Sequence, residues 1–262
     1  MHVRTANRKQ ASSSTALKAL RALEVVAESS EPVSVAHVAD RLEEERITAY
    51  RMLVTLDEAG YVVRDDASKR YTLSYKVVSL SRNLLAENEI SKLIQETLRR
   101  IMTLTGETLH YSVLDGFEAV LVYRVKGTQL VGVDFQIGDR SPLNCTSIGK
   151  VLLAYQSEEF FERFVEHGLP RKTDRTIVDP DSLRAELDRV RAQGYALDEK
   201  EFASNMRCIA VPVFAGGGQV NAGISISGPD SRFSRTYLLK LRDPVIEAAN
   251  ELSRRLGGLP WS

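Results

Sequence analysis

Residues 46–73 read RITAYRMLVTLDEAGYVVRDDASKRYTL, and this stretch decides the fold of the N-terminal part of the chain. Apolar residues at positions 49, 52, 53 and 56 recur at helical spacing, which predicts a helix that begins near Arg46. Two short β-rich runs, Tyr61–Arg64 and Arg70–Leu73, flank the turn residues Asp65–Ser68, which is typical of a hairpin. The stretch therefore predicts a helix followed by a two-stranded wing.

Two more helices are predicted upstream of this stretch. Thr15 is the expected N-cap of the first, whose apolar residues at 17, 20, 23 and 26 share one face. Ser34 is the expected N-cap of a short second helix, and the run Glu43–Glu45 connects it tightly to the third. Helix, helix, tight turn, helix and wing is the order of a winged helix-turn-helix, which predicts a DNA-binding domain over residues 15–75.

The third helix and the wing supply the candidate DNA contacts. Recognition helices present their first turns to base edges, where arginine pairs with guanine and an apolar side chain meets the thymine methyl group. The candidates are Arg46, Ile47, Thr48, Tyr50 and Arg51 on the helix, with Lys69 and Arg70 on the wing. An amphipathic helix taken alone is more often structural, so this prediction depends on the order of the elements around it. The glutamates at 43–45 precede the helix, where its dipole favours negative charge.

Composition bounds the class of protein. The 262 residues carry 35 basic and 35 acidic side chains, and this zero net charge argues mildly against nucleic acid unless basic groups cluster locally. No apolar run approaches the roughly 20 residues that span a bilayer. Residues 1–14 lack the apolar core of a secretory signal and are predicted to be a basic disordered arm. Cys145 and Cys208 are too few for a disulfide framework, which favours a cytoplasmic location.

The rest of the chain mixes helix and strand. A helical pattern after Tyr75, interrupted at Asn88 and Ser91, predicts a linker helix over residues 76–92 and a second domain over 93–262. Residues 110–116, 119–125 and 130–138 are β-rich, and 208–228 read as two strands joined by Gly216–Gly218. Helices are expected at 157–165, 181–194 and 233–258. These patterns predict an α+β fold with a central antiparallel sheet.

Several motifs resemble the IclR family of bacterial transcriptional regulators over about residues 15–256. The N-terminal segments ALKALRALEVV, SVAHVADRL and TAYRMLVTLDEAGYVVRD occur in the order of that family's winged helix. IGDRSPLNCTSIGKVLLA resembles its signature segment, and GYALDEKEFASNMRCIAVPVF and VNAGISISGP resemble the segments that follow it. The sequence departs from the family at Glu43–Glu45, where Gly-Leu-Pro or Gly-Leu-Ser is usual, and at Ile47, where a small hydroxyl is common.

The resemblance implies a C-terminal GAF-like effector-binding domain and homodimers or homotetramers on a pseudo-palindromic DNA operator. It places the effector-binding groups at Ser147, Ile148, Asp198, Cys208, Ser225 and Ser227, with Asn144 and Met206 as wall residues. Independently of the family, Ser225 and Ser227 are two apart in a strand and share one face, and a helix start near Ser147 can hold a carboxylate.

Other interpretations of these residues stay open. The alternative for the serines is a strand edge whose hydroxyls the backbone satisfies. Asp198 either accepts hydrogen bonds from an effector hydroxyl or ends a turn. Cys208 is expected to be a buried small hydrophobe, and Lys150 to face solvent.

We predict a ligand-responsive DNA-binding regulator whose effector is a small organic carboxylic acid. Phe135, Leu143, Ile148 and Met206 favour an aromatic or short branched acid. The alternative is an interaction or sensing module with weakened DNA reading, which the run Glu43–Glu45 favours. An enzyme is not predicted, because the four histidines (His2, His37, His110 and His167) are scattered and no catalytic or metal-binding motif is present, although Cys145 and His110 can in principle meet. No cofactor, metal or membrane partner is predicted.

Overall fold

A computed structural model describes residues 13–85 and 88–261. The chain divides into two compact units, residues 1–86 and 87–262. Most of the arm predicted at 1–14 lies outside the described residues. In the described part of the chain, no helix has both the length and the apolar character needed to cross a membrane.

The N-terminal unit is a winged helix-turn-helix, as predicted. Its elements are α1 (Ser14–Glu28), α2 (Val35–Leu42), α3 (Arg46–Glu58), β1 (Val62–Arg64), β2 (Tyr71–Leu73) and α4 (Lys76–Leu85). Strands β1 and β2 pair antiparallel, with Val62 opposite Leu73. The core of the unit comprises Ala22, Val26, Val38, Ala49, Leu53, Leu56, Val62 and Tyr71, all of them buried.

Side-chain caps fix where the first two helices begin. The N-cap of α1 is Ser13 and not Thr15, because the Ser13 hydroxyl accepts a hydrogen bond from the amide of Ala16 at 3.3 Å and the helix gains its first turn from Ser14 onward. Ser34 caps α2 as predicted, and its hydroxyl accepts from the amide of His37 at 3.2 Å.

The C-terminal unit is built on a six-stranded antiparallel sheet, which confirms the predicted α+β class. Its elements are α5 (Glu89–Thr105), β3 (Leu109–Asp115), β4 (Glu118–Val125), β5 (Arg140–Pro142), α6 (Ser147–Ala154), α7 (Glu158–His167), α8 (Pro180–Gln193), β6 (Ala196–Glu199), β7 (Met206–Val213), a 3-10 turn (Gly216–Gly218), β8 (Ala222–Pro229) and α9 (Arg235–Arg255). The strand order is β5-β4-β3-β8-β7-β6.

Two predicted elements differ from those observed. The linker helix expected over 76–92 is described as α4 up to Leu85, and residues 86–87 lie outside the described part of the chain. A separate helix, α5, already begins at Glu89, because Asn88 and Ser91 form a reciprocal capping box. The strand expected over 130–138 does not form, and β5 takes the edge position beside β4. Residues 130–138 contain two glycines, and Leu130 is fully exposed. Strand β6 was not predicted.

Helices cover the two faces of the sheet. On one face, Leu109, Tyr111, Ile209, Val211, Ile224 and Ile226 pack in one core with residues of α5 and α9. On the other, Ala196 and Ala210 pack in a second core with α6, α7 and α8. Because side chains alternate along a strand, Ser225 and Ser227 lie on this second face, next to α6.

Candidate functional site

One candidate site is the exposed face of α3 in the N-terminal unit. The helix buries Ala49, Met52, Leu53 and Leu56 toward the core. Ile47 and Tyr50 are 61% and 43% exposed, and Arg46 and Arg51 are also exposed. Thr48 is half-buried beside them. The helix therefore presents its first turns to solvent, as a recognition helix must.

The glutamate run forms the turn of the helix-turn-helix. Glu43 ends α2 in a left-handed conformation with φ of 54°, and the amide of Glu44 donates to the Ala39 carbonyl. The Glu44 carboxylate forms an ion pair with Lys18 of α1 at 2.6 Å. Glu45 precedes α3 and makes no side-chain cap, as its residue type predicts. Lys18 thus offsets the charge of Glu44, whereas Glu43 and Glu45 are exposed.

The wing residues Lys69 and Arg70 are both exposed. Arg70 donates one hydrogen bond to the carbonyl of Pro32 at 2.9 Å, which leaves most of its five N–H donors available. Lys69 lies 3.8 Å from Asp66, a weak surface pair. Both cations are therefore free to meet phosphate.

A second candidate site is a cavity of about 220 Å³ in the C-terminal unit, between the sheet and the start of α6. It is lined by His110, Ser112, Leu121, Phe135, Asp139, Arg140, Ser141, Thr146, Ser147, Ile148, Phe202, Met206, Cys208, Ser225 and Ser227. The structure thus brings six of the predicted effector residues together.

The N-terminus of α6 forms one end of this cavity. The Thr146 hydroxyl caps the helix by accepting from the amide of Gly149 at 3.0 Å. The amides of Ser147 and Ile148 have no acceptor within the described ranges, since helix N-termini leave such donors free. A Cβ on Gly149 would lie 2.5 Å from the Pro142 carbonyl, so only glycine permits this close approach. The geometry suits a carboxylate held by backbone N–H groups.

The floor of the cavity is a row of small polar side chains. His110 lies directly opposite Ser225 across β3 and β8, and Ser112 is two residues along the same strand. Ser227 lies opposite Cys208 across β8 and β7. Sequence reasoning missed His110 and Ser112, although their spacing places both on one strand face. The missing information was the pairing of β3 with β8, which joins positions 110 and 225.

His110 is uncharged in this environment. Burial, together with the nearby Arg124 guanidinium, lowers the pKa of His110 to about 4. Its ring packs edge-on against Phe135 with centroids 5.7 Å apart, and Phe135 in turn contacts Phe202 at 6.1 Å. Arg124 is anchored by Asp134 at 2.7 Å, next to Phe135. The cavity therefore pairs an aromatic wall with a neutral histidine.

Two predicted effector residues do not line the cavity. Asn144 is fully buried, and its side-chain amide donates hydrogen bonds to the carbonyls of Pro170 and Ile177. It therefore holds the segment that contains these two residues and does not form part of the cavity wall. Asp198 lies opposite Cys208 on β6, and its Oδ1 accepts from the amides of Glu201 and Phe202 at 2.7 and 3.4 Å. Asp198 lies within β6 and does not end a turn after Gly194 and Tyr195; its carboxylate instead holds the turn that follows the strand. Leu143 is also buried outside the cavity.

The expectation that Lys150 faces solvent is wrong. Its side chain is 1% exposed and forms ion pairs with Glu201 at 2.6 Å and Glu186 at 3.2 Å. Burial alone would lower the pKa of Lys150, but the two carboxylates outweigh it and raise the pKa. The two glutamates come from elsewhere in the chain, so the local sequence around Lys150 carries no sign of them.

The cysteines have no nucleophilic character. Burial raises the pKa of Cys145 to about 12 and that of Cys208 well above its ordinary value. Cys208 is the buried small hydrophobe that was predicted. Both thiols stay protonated near neutral pH, which argues against a Cys145–His110 nucleophile.

Comparisons with known proteins match both regions of the chain. Residues 15–66 match the family model described as IclR helix-turn-helix domain, and residues 82–254 match that described as Bacterial transcriptional regulator IclR C-terminal. The chain is 34% identical over 245 residues to the HTH-type transcriptional regulator KdgR of Escherichia coli (strain K12), covering 93% of each chain. The curated relatives it matches are named transcriptional regulators or repressors.

Solved structures share the fold. The crystal structure of the Thermotoga maritima IclR is 34% identical, with a TM-score of 0.71, and the match covers 93% of this chain and 98% of that one. An IclR homolog from Microbacterium hydrocarbonoxydans complexed with 4-hydroxybenzoate is 22% identical, with a TM-score of 0.73, and the match covers 92% and 100% of the two chains.

Proposed function

This chain belongs to the IclR family of bacterial transcriptional regulators, and we propose that the cavity beside α6 binds a small organic carboxylic acid that alters operator binding. It is a ligand-responsive, DNA-binding regulator and not an enzyme. The observation that carries the effector proposal is the pair of backbone amides at Ser147 and Ile148, which have no acceptor within the described residues and belong to residues that line a cavity of about 220 Å³. An aromatic acid is one candidate, since Phe135 and Phe202 line the wall.

For operator binding, we propose that α3 enters the major groove. Arg46, Ile47, Thr48, Tyr50 and Arg51 would then contact bases and phosphates, with Lys69 and Arg70 contacting the backbone beside the groove. Retained DNA reading is favoured over the alternative of a module that has lost it because α3 keeps Arg46 and Arg51 exposed and Lys18 offsets one of the three glutamates of the turn.

We further propose a homodimer or homotetramer on a pseudo-palindromic operator. In the N-terminal unit, Leu17 and Leu20 of α1 are half exposed. Tyr75, Val78 and Leu80 are 91%, 64% and 58% exposed. Apolar side chains gathered in this number on a small unit favour a protein partner, and two copies of the unit would present two recognition helices to successive half-sites. The cytoplasm, where operator DNA lies, is the proposed location.

The effector proposal is tested by DNA binding and ligand binding on the same preparation. Fluorescence anisotropy measures affinity for the DNA that flanks the protein's own gene, with and without acetate, glycolate, benzoate or 4-hydroxybenzoate, the last being the ligand of the Microbacterium neighbour. We expect at least one acid to change the Kd for DNA and to raise the melting temperature. A Kd that no acid changes, with no thermal shift, would count against the cavity as an effector site.

A variant pair locates the effect. Ser147→Arg places a bulky side chain in the lining of the cavity at the start of α6 and should abolish the thermal shift, while far-UV circular dichroism stays unchanged. The matched control is Glu166→Arg, which introduces the same side chain at an exposed position near the end of α7. A ligand shift that survives in Ser147→Arg would exclude this cavity.

A further inference from the structure

His110 is a buried polar side chain without a protein partner. It is 2% exposed and lines the cavity from β3. Neither Nδ1 nor Nε2 has a hydrogen-bond partner among the residues that the structure describes. An unsatisfied buried polar group costs about 1–3 kcal/mol, so two such atoms on one ring call for a ligand that satisfies them.

The chemistry around His110 selects the kind of group that can bind there. Burial and the Arg124 charge hold the pKa of His110 at about 4, so near neutral pH one ring nitrogen donates and the other accepts. The hydroxyls of Ser112 and Ser225 next to it also donate and accept. A hydroxyl on the ligand can donate to the ring nitrogen that accepts or accept from the ring N–H, whichever of the two faces the cavity, whereas a methyl or ring C–H can do neither.

A second carboxylate is a poor match for this end of the cavity. The two guanidinium groups nearby are already neutralised: Arg124 pairs with Asp134 at 2.7 Å, and Arg140 pairs with Glu118 at 2.6 Å and with Asp115 at 2.8 Å. An anion beside His110 would therefore lose its hydration without gaining an unpaired cation. The proposed anion-binding groups are the backbone amides of Ser147 and Ile148 at the start of α6.

We propose that His110 is a specificity-determining residue that binds a hydroxyl group of the effector, which makes the effector a hydroxylated monocarboxylic acid. This inference rests on the proposed function, in which the α6 end of the cavity holds the carboxylate. A site built around a hydroxyl discriminates against the analogue that lacks it, because the site's own polar atoms are then left unpaired. We expect roughly 10- to 100-fold weaker binding of the deoxy analogue.

Matched pairs of acids test the proposal by titration calorimetry on the full chain. The pairs are glycolate and acetate, lactate and propionate, and 4-hydroxybenzoate and benzoate, which differ within each pair by one hydroxyl. In the wild type, at least one hydroxylated acid should bind roughly 10- to 100-fold more tightly than its partner. His110→Phe should bind the two members of that pair equally, and His110→Asn, which keeps one donor and one acceptor, should restore part of the preference.

The outcomes separate this inference from the proposed function. Measurable binding of acids without any preference for the hydroxylated member, or a preference that persists in His110→Phe, would overturn the role of His110 and leave the carboxylate site standing. A wild type that binds no member of any pair would overturn both. Unchanged melting temperatures and circular dichroism in His110→Phe, together with a lost preference, would show that the residue contacts ligand and does not merely support the fold.

Discussion

Replacing Asp198 with asparagine should remove a large part of the pH dependence of the stability of the C-terminal unit. Asp198 is fully buried, and its Oδ2 has no hydrogen-bond partner in the described part of the chain. Burial raises the pKa of Asp198 from 3.8 to about 7. Asparagine keeps the Oδ1 acceptor for the amides of Glu201 and Phe202 but carries no ionisable proton.

The magnitude follows from proton linkage. Because the folded-state pKa of Asp198 lies above the unfolded value, the folded unit binds this proton more tightly than the unfolded chain does. The proton therefore contributes its whole stabilisation below pH 3.8, and this stabilisation is lost as the pH rises through about 7. For these two pKa values, the free energy of unfolding falls by about 2–3 kcal/mol between about pH 5 and pH 8. The difference between wild type and Asp198→Asn should fall by the same amount. Any constant effect of the new amide nitrogen cancels from this comparison.

Trp261 provides the assay. It is the single tryptophan of the chain, it packs against Gly194, and its indole N–H donates to the Arg191 carbonyl at 3.2 Å. Its fluorescence therefore reports unfolding of the C-terminal unit in urea titrations of the full chain at several pH values. Asp174→Asn is the matched control, since Asp174 is exposed and its loss should change stability by less than about 0.5 kcal/mol throughout.

A stability difference between wild type and Asp198→Asn that stays constant within about 0.5 kcal/mol from about pH 5 to pH 8 would refute the reasoning. So would a difference that rises with pH, because that sign requires a folded-state pKa below the unfolded one.

Three further predictions concern the remaining parts of the two sites. Lys150→Met leaves Glu201 buried without a cation, while Glu186 keeps its ion pair with Arg189, and should cost about 3–5 kcal/mol in urea unfolding; a cost below about 1 kcal/mol would contradict the buried Lys150–Glu201 pair. Gly149→Ala should displace the start of α6, lower stability by about 1–3 kcal/mol and abolish acid-induced thermal shifts, which differential scanning fluorimetry measures. Arg51→Ala should weaken operator binding and reduce the slope of log Kd against log salt by about 1 if the side chain contacts phosphate, whereas an unchanged affinity would place it outside the interface.

The N-terminal unit was largely predictable because local patterns of apolar and turn residues specify its helices and strands. The apolar residues of α3 at 49, 52, 53 and 56 are the ones that it buries, and the wing strands begin within one residue of their predicted starts. Helix starts were less secure, since Ser13 and Thr15 are both competent caps and only the first is used.

The cavity was predictable only in part, because its floor is assembled from distant strands. The shared face of Ser225 and Ser227 follows from the period of a strand, but the position of His110 beside them depends on the pairing of β3 with β8. Buried charge was the main failure. The sequence around Lys150 is that of an ordinary helix, and the carboxylates that allow its burial come from positions 186 and 201. Residues 130–138 have an apolar pattern typical of a strand, but they have no partner strand to pair with and do not form one.

The position of β8 at the centre of the sheet has a consequence during synthesis on the ribosome. The N-terminal unit precedes this sheet in the chain and can fold as soon as it emerges. Strand β3 can pair with β4 at once, but its second neighbour, β8, is made more than 100 residues later in translation. A nascent or prematurely terminated chain that stops before Ala222 would therefore contain a folded winged helix-turn-helix unit and an incomplete sheet in the C-terminal unit. We expect such fragments to bind operator DNA but not to respond to the effector. Their degradation by cellular quality control would then be needed for the regulated genes to respond to the effector.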